Sequence, residues 1–250
     1  MIKRLAAILI LDSGQVVNSY NFNIHLPVGH LNLTLRRLQE YEIDEVIILN
    51  TSHSAFPIRD FTGMLTENNS WHIATPLAYG GGISSVSDAI EIIKAGAERV
   101  VISPNLLLDS NIFFEICSFL GDQAIILHLP LEFKGDEVEI LGHKSINFKS
   151  LSNLLPQNWG GEIMFSFVEN DGAKSPNWKN VTRIIDAMSG FKNLILAGGF
   201  SNSLDISKGF EFGEVSAIAI GNYLHRSELS VINLKQDIDM AIAIRRQNDH

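Results

Sequence analysis

Cysteine is almost absent from this chain of 250 residues, since Cys117 is the only one. A single thiol excludes an intrachain disulfide and any zinc site built from several thiolates. The eight histidines also lack the i, i+4 spacing that places two metal ligands on one helix face. We therefore expect a protein of a reducing compartment that uses no metal and no other cofactor.

Positive charge and long apolar runs are also scarce. The net charge is −9, with 19 Lys and Arg against 28 Asp and Glu, and there is no Lys/Arg-rich run. This argues against a surface for nucleic acid or for an anionic membrane. The apolar run 5–11 is too short for a membrane span and has no signal-peptide cleavage pattern after it. We expect a cytoplasmic protein whose partners are small molecules or other proteins.

Glycine is the residue type with a pattern, because one glycine-rich segment occurs twice. Residues 79–88 recur 117 positions later as residues 196–205, and the register holds as far as Gly96 and Gly213. Identical pairs are Gly81 and Gly198, Gly82 and Gly199, Ser84 and Ser201, and Asp88 and Asp205. Each copy, followed as far as the next apolar run, reads as a strand, a glycine turn, a helix and a second strand, which is a βαβ unit. Two copies predict two related anion sites at the carboxyl ends of strands.

Eight apolar runs of strand length alternate with amphipathic helical segments along the chain. The runs are residues 5–11, 45–49, 77–79, 99–102, 124–129, 162–167, 193–197 and 215–220. Alternating strands and helices indicate a parallel sheet, and the half-chain repeat favours closure. We predict one α/β domain over residues 1–250, a (β/α)8 TIM barrel built from two half-barrel repeats. Additional loops are expected at 18–29 and 135–147, the second containing a small hairpin around 137–140.

The carboxyl ends of barrel strands are where chemistry is expected. The residues found there include Asp12, Asn50, Ser103, Asp171, and the glycines of both repeats. Backbone N–H groups at glycine turns that lead into helices bind anions without Lys or Arg. The alternative is that the glycines only permit tight turns.

Several of these motifs together resemble a known family. The chain is similar, nearly from end to end, to the cyclase barrel of imidazole glycerol phosphate synthase and to its sister isomerase barrel of histidine biosynthesis. The residues that carry this resemblance include Lys3-Arg4, Gly14-Gln15-Val16-Val17, Tyr79-Gly80-Gly81-Gly82-Ile83, Asn170-Asp171-Gly172 and Ala197-Gly198-Gly199. The resemblance implies two phosphate sites for a bisphosphorylated substrate, and ammonia delivered through the barrel from a glutaminase docked at its base.

The chain departs from that family at the positions of its catalytic residues. The family's aspartate on strand one falls on Ile10, its lysine on Asn18, and its aspartates on strands two and five on Asn50 and Pro130. Neither Ile10 nor Pro130 can transfer a proton, so ordinary cyclase chemistry is not expected. Asp12 lies two residues beyond Ile10, and Asp171 matches a carboxylate of the family. Both are candidate catalytic residues, or else solvated loop carboxylates, and Glu132 and Glu169 are further possibilities nearby.

The phosphate sites implied by the resemblance are preserved unequally. The second half retains Gly172, Gly199, Gly221 and Asn222 as backbone donors. The first half retains Gly81, Gly82 and Ser103, but Pro104 removes a backbone donor. We predict one good anion site and one weakened site.

The amino ends of four strands carry charges that match the family's ammonia gate. These charges are Arg4, Glu45, Arg99 and Glu162, with Arg99 in place of the usual lysine. Four charges at the base of a barrel core are costly to bury unless they pair, so a closed salt-bridged ring is expected. The alternative is four unrelated strand-end charges in water.

The combination of a retained gate and lost acids predicts a divergent paralogue that still receives ammonia from a glutaminase. In relatives of this type, the resemblance suggests nitrogen transfer in surface-sugar biosynthesis, building an amidino or similar group on a phosphorylated small molecule. Two alternatives remain open. One is a true histidine-biosynthesis cyclase with rearranged acids, and the other is a scaffold that activates the glutaminase and performs no chemistry.

Overall fold

The computed structural model describes residues 3–52, 54–67, 73–109, 111–143, 145–155, 159–225 and 231–238. Its strands are β1 (Arg4–Asp12), β2 (Gln15–Tyr20), β3 (Ile24–His30), β4 (Glu45–Asn50), β5 (Leu77–Gly80), β6 (Arg99–Ile102), β7 (Ile125–Lys134), β8 (Glu137–Ile140), β9 (Ser145–Asn147), β10 (Glu162–Phe167), β11 (Leu194–Ala197) and β12 (Val215–Ile220). Its helices are α1 (Leu31–Glu40), α2 (Ile58–Glu67), α3 (Val86–Lys94), α4 (Pro104–Asp109), α5 (Ile112–Leu120), α6 (Trp178–Ala187), α7 (Ser203–Gly209) and α8 (231–238).

Eight of the strands form a closed parallel barrel. Their order is β1, β4, β5, β6, β7, β10, β11 and β12, and β12 pairs with β1 to complete the circle. These are the eight strands predicted from the sequence, so the (β/α)8 prediction is confirmed. Their ends differ by a residue or a few: Ala124 belongs to a 3-10 turn and Asn193 precedes β11 with a φ of 65°.

The barrel strands bury both of their faces, which explains why they read as continuous apolar runs. On β4, Val46 and Ile48 pack outward against the helices, whereas Ile47 and Leu49 point into the lumen. The lumen layer is otherwise small or aliphatic and includes Ala6, Ala78, Val101, Ile126, Met164, Ile195, Ala217 and Ala219. A narrow apolar core therefore connects the base of the barrel to its mouth.

The two repeats have the same local geometry. Gly81 and Gly198 have φ values of 114° and 102°, and Gly82 and Gly199 have values of 75° and 81°. A Cβ on Gly81 would lie 2.2 Å from the Asn50 carbonyl oxygen, and one on Gly198 would lie 2.7 Å from that of Phe167. The helices that follow are capped alike, because the side chains of Ser85 and Asn202 accept hydrogen bonds from the N–H groups of Asp88 and Asp205. The duplication seen in the sequence is thus a duplication of structure.

The predicted additional segments form antiparallel strands. Residues 18–29, expected to be a loop, belong to the hairpin of β2 and β3, which continues from β1. The fifth barrel strand does not end at Leu129 but continues to Lys134, where it pairs with β8. The expected hairpin at 137–140 is therefore confirmed, with β7 as its other strand. None of the helices in the described ranges is long and apolar enough to cross a membrane.

Candidate functional site

A closed ring of ion pairs lies at the amino ends of the barrel strands. Arg4 on β1 binds Glu45 at 3.0 Å and also binds Glu162, and Arg99 on β6 binds the same two carboxylates. Ser216 adds a hydrogen bond from its hydroxyl to Glu162 at 3.0 Å. Each arginine thus bridges both glutamates, as the sequence analysis predicted for these four residues.

The ring is largely withdrawn from solvent. The side chains of Glu45, Glu162, Arg99 and Arg4 are exposed by 1%, 12%, 13% and 25%. Burial lowers the pKa of Arg99, and the neighbouring Glu162 carboxylate acts in the opposite direction. Removal of one partner would leave a buried charge unpaired at a cost in stability. The four side chains therefore stabilise the ring as one unit.

At the opposite end of the barrel, glycine turns enclose a small cavity of about 70 Å³. Gly172, Gly199, Gly221 and Asn222 all line it, together with Ile8 and Ile10 from the lumen. These are the four residues predicted for the better preserved phosphate site. The turn at Gly199 is sterically fixed, because a Cβ there would lie 2.7 Å from the backbone of Ser175 and Pro176.

Asn222 has a second role that the sequence did not indicate. Its side-chain amide donates to the Ser19 carbonyl oxygen at 2.6 Å, and its Oδ1 accepts from the Ser19 N–H at 3.2 Å. The β2–β3 hairpin is thereby held over the mouth of the barrel. Tyr20 of the same hairpin packs so closely on Gly172 that a Cβ there would lie 2.3 Å from its ring. The Asn222 side chain is therefore committed to the hairpin, which leaves its backbone as the anion donor.

A larger cavity of about 270 Å³ adjoins the small one across the mouth. The first-half residues Gly81 and Ser103 line it, whereas Gly82 lines neither of these two cavities. Helix α4 begins at Pro104, so the first turn of this helix lacks one N–H donor. The two halves thus present unequal surfaces to an anion.

Asp171 lies between the two cavities and lines both of them. Its Oδ2 accepts hydrogen bonds from the Ser19 hydroxyl at 2.6 Å and from the Phe22 N–H at 3.0 Å. Burial raises the pKa of Asp171 above the usual value, and these two hydrogen bonds oppose the rise. A carboxyl group that holds its proton more tightly inside a cavity is suited to proton transfer.

Two histidines line the larger cavity with Asp171. His128 on β7 shares a hydrogen bond of 2.8 Å with the Ser166 hydroxyl, and burial lowers its pKa to about 4. His25 on β3 pairs through Nδ1 with the Asp12 carboxylate at 2.9 Å. This contact lowers the pKa of Asp12, which itself lines neither of the two cavities. Asp12 thus lies outside both cavities with a side chain that is 37% exposed, and it contacts His25 of the cavity lining.

The sequence is similar to known proteins over nearly its whole length. A family model described as "Histidine biosynthesis protein" matches residues 5–230. The chain belongs to this family. The imidazole glycerol phosphate synthase subunit HisF of Alkaliphilus metalliredigens (strain QYMF) is 26% identical over 98% of this chain and 99% of its own length. HisF of Thermococcus onnurineus (strain NA1) is 25% identical, with 94% of each chain covered.

The relatives also include a Campylobacter jejuni protein provisionally named imidazole glycerol phosphate synthase subunit hisF2, which is 25% identical over 94% of each chain. Such low identity over nearly complete chains marks this protein as a divergent HisF-like barrel. Its departures at the mouth are therefore changes within the family, not signs of another fold.

The positions at which the family's acids were expected are occupied by groups with structural contacts. Ile10 lines both cavities with a side chain that cannot exchange protons. Asn50 is buried, and its amide donates to the Phe56 carbonyl oxygen at 2.7 Å and to the Tyr79 hydroxyl at 2.9 Å. Pro130 accepts a hydrogen bond from the Leu141 N–H and so belongs to the β7–β8 extension.

The other two acids considered from the sequence lie outside both cavities. Glu169 accepts a hydrogen bond from the Phe133 N–H at 2.8 Å, and Glu132 lies 3.8 Å from Lys134. Both belong to the surroundings of the β7–β8 extension. No metal-binding cluster of three His, Cys, Asp or Glu side chains occurs among the described residues.

His25 was not predicted as a site residue, and neither were the hairpin residues Ser19 and Phe22. Their segment was expected to be a loop, and loops give no register from which side-chain directions follow. The available signal was the β-branched pair Val16-Val17 and the aromatic Tyr20 directly after the Ser13-Gly14 turn, residue types that favour a strand.

Proposed function

We propose that this barrel is the ammonia-accepting subunit of a glutamine amidotransferase complex, and that it transfers nitrogen to a phosphorylated small molecule other than the substrate of histidine biosynthesis. The acceptor belongs to surface-sugar biosynthesis, and the product carries an amidino or similar nitrogen group. A glutaminase subunit docks at the base of the barrel and supplies the ammonia.

The observation that carries this proposal is the closed ring of Arg4, Glu45, Arg99 and Glu162 beneath an apolar lumen. Burying four charges costs free energy, and a barrel with no use for its base would be equally stable with apolar residues there. A narrow apolar core above the ring suits a small neutral molecule such as ammonia. The ring therefore supports an ammonia gate at the base of the barrel. An ammonia gate in turn supports a glutaminase docked at this base.

The mouth supports a change of acceptor. Ile10 and Pro130 stand where the cyclase reaction needs an acid and a base. Only one of the two anion sites has its full set of glycine turns facing a cavity. An acceptor bound by one phosphate group fits these features better than a long substrate held at both ends.

Two other functions predict different behaviour. A cyclase with rearranged acids would use Asp171 and the Asp12–His25 pair on the histidine-pathway substrate. A scaffold would activate the glutaminase without any chemistry at the mouth. The raised pKa of Asp171 between the two cavities favours chemistry over a scaffold.

The proposal is tested by offering the isolated chain the histidine-pathway cyclase substrate with ammonium salts, using HisF of Alkaliphilus metalliredigens as the positive control. We expect turnover to be slower than that of the control by about 10²- to 10⁴-fold, because Ile10 and Pro130 stand where the cyclase reaction needs an acid and a base. Turnover equal to that of the control would overturn the proposed change of acceptor in favour of the true cyclase.

A further inference from the structure

We propose that His25, oriented by Asp12, is the base that removes a proton from nitrogen during its transfer at the larger cavity. Asp12 is then a positioning residue, because it does not face the cavity. This inference rests on the proposed function and adds the group that replaces the lost acids and bases.

The first support is the placement of the imidazole. His25 lies on β3 of the hairpin and lines the cavity of about 270 Å³, with Asp12 on its other side. Its Nδ1 is occupied by the Asp12 carboxylate at 2.9 Å. Within the described part of the chain, Nε2 has no hydrogen-bond partner. This nitrogen is the one left to meet a molecule in the cavity.

The second support is the state of Asp12. Its Oδ2 contacts the imidazole and its Oδ1 accepts from the Ser13 hydroxyl at 3.1 Å. These contacts lower the pKa of Asp12, so it is ionised at neutral pH. A carboxylate against Nδ1 places the proton there and leaves the Nε2 lone pair free. It also holds the imidazole ring in one orientation.

The third support is the surroundings of His25. The other titratable groups that line this cavity are His128 on β7 and Asp171 after β10. His128 is bonded to Ser166 and resists protonation, since burial lowers its pKa to about 4. Asp171 holds a proton more tightly than an exposed aspartate does. The cavity thus contains one imidazole with a free nitrogen and one carboxyl group with a raised pKa.

The step balances with His25 alone. The ammonia lone pair forms a bond to the acceptor carbon, and an oxygen leaving group departs with the electron pair of its C–O bond. One N–H proton passes to Nε2 of His25, and the resulting imidazolium gives this proton to the departing oxygen, which restores the imidazole for the next turnover.

The test uses the chain with its cognate glutaminase, ¹⁵N-ammonium, and a deproteinised extract of phosphorylated small molecules from the source cells. Mass spectrometry measures ¹⁵N incorporation for the parent and for His25→Gln, Asp12→Asn and Asp12→Glu. His30→Gln is the matched control, because His30 is an exposed histidine at the end of the same strand. Thermal unfolding and binding of inorganic phosphate report whether each variant keeps its hairpin and its anion site.

We expect His25→Gln to lose about 10²- to 10⁴-fold in rate, with phosphate binding unchanged. Asp12→Asn should lower kcat for nitrogen transfer while leaving the KM for ammonium and the binding of phosphate unchanged. Asp12→Glu should restore part of the loss in kcat, and His30→Gln should behave as the parent. A role of Asp12 in folding alone would change thermal stability without this selective loss of kcat.

Full nitrogen transfer by His25→Gln would overturn this inference and leave the proposed function intact. The same holds if Asp12→Asn transfers nitrogen with the kcat of the parent. Absence of ¹⁵N incorporation by the parent would overturn both the inference and the proposed function.

Discussion

At the residue scale, residues that take part in packing stand where the resemblance to the cyclase family places acids. Asn50 is an example, since its amide N–H groups donate to the Phe56 carbonyl and the Tyr79 hydroxyl. The loss of proton-transfer groups at positions 10 and 130 was predictable from the sequence, because no geometry makes Ile or Pro an acid. The presence of His25 was not predictable, because its direction depends on the hairpin register.

His128 gives a prediction at the same scale. Its pKa is lowered to about 4 by burial, whereas the unfolded chain has an ordinary histidine near 6.5. Below pH 6.5 the unfolded state therefore binds more protons, and stability falls as the pH drops from 6.5 towards 4. We expect His128→Asn to lose less stability than the parent between pH 7.5 and pH 5, by about 2 kcal/mol. Urea unfolding at pH 7.5 and pH 5 measures the difference, and equal losses for both proteins would contradict it.

At the element scale, the two glycine turns have similar backbone conformations but differ in which of their residues line a cavity. Gly82 and Gly199 occupy equivalent turns with φ values of 75° and 81°, but only Gly199 lines the small cavity. The sequence predicted the two turns and their kinship, because a repeat of identical glycines is visible without a structure. It did not show that Gly82 lines neither cavity while the adjacent Gly81 lines the larger one.

This difference yields a matched pair of variants. A Cβ on Gly199 would lie 2.7 Å from the backbone of Ser175 and Pro176, so we expect Gly199→Ala to cost roughly 1–3 kcal/mol of stability and about tenfold or more in phosphate affinity. Gly82→Ala carries similar backbone strain, but it should leave phosphate affinity unchanged. Calorimetric titration with inorganic phosphate tests both. Equal loss of affinity in the two variants would show that the anion is not bound in the second-half cavity.

Gly213→Ala serves as the neutral control for this pair. Gly213 is the counterpart of Gly96, and a Cβ on Gly213 would meet no atom within 4 Å. We expect its stability and phosphate affinity to stay within measurement error of the parent. A substantial loss there would mean that the effects of the other two variants are not specific to their turns.

At the scale of the whole molecule, the base and the mouth of the barrel differ in charge and structure. The base carries four charges in a closed ring, whereas the mouth has Ile10 and Pro130 where the resemblance places acids, and it is covered by a hairpin held by Asn222 and Asp171. The barrel and its ring were predictable, because strand number and the placement of charges at strand starts follow from hydrophobic patterning. The arrangement of the mouth was not, because segments that pack over a barrel have no repeating pattern.

Substitutions at Arg99 measure how much the ring of ion pairs contributes to the free energy of unfolding. Arg99→Glu would leave Arg4 as the one cation of the ring facing three carboxylates, so we expect a loss of about 3–5 kcal/mol in the free energy of unfolding. Arg99→Lys keeps the charge and should cost much less, although it loses the two-fold contact of the guanidinium. Chemical unfolding of both variants measures this, and similar losses for Glu and Lys would mean that the charge at position 99 does not stabilise the ring.

The most direct test of the account is glutamine hydrolysis and nitrogen transfer by the cognate glutaminase with the parent chain, Arg99→Lys and Arg99→Glu. Each variant is assayed at a temperature at which unfolding experiments show it to be folded. We predict that the parent and Arg99→Lys bind the glutaminase, raise its hydrolysis of glutamine and pass ¹⁵N from labelled glutamine to a phosphorylated product. With Arg99→Glu, the nitrogen should appear as free ammonium in solution. If the folded parent neither binds the glutaminase nor raises its hydrolysis of glutamine, the ring is not an ammonia gate and the central claim is wrong.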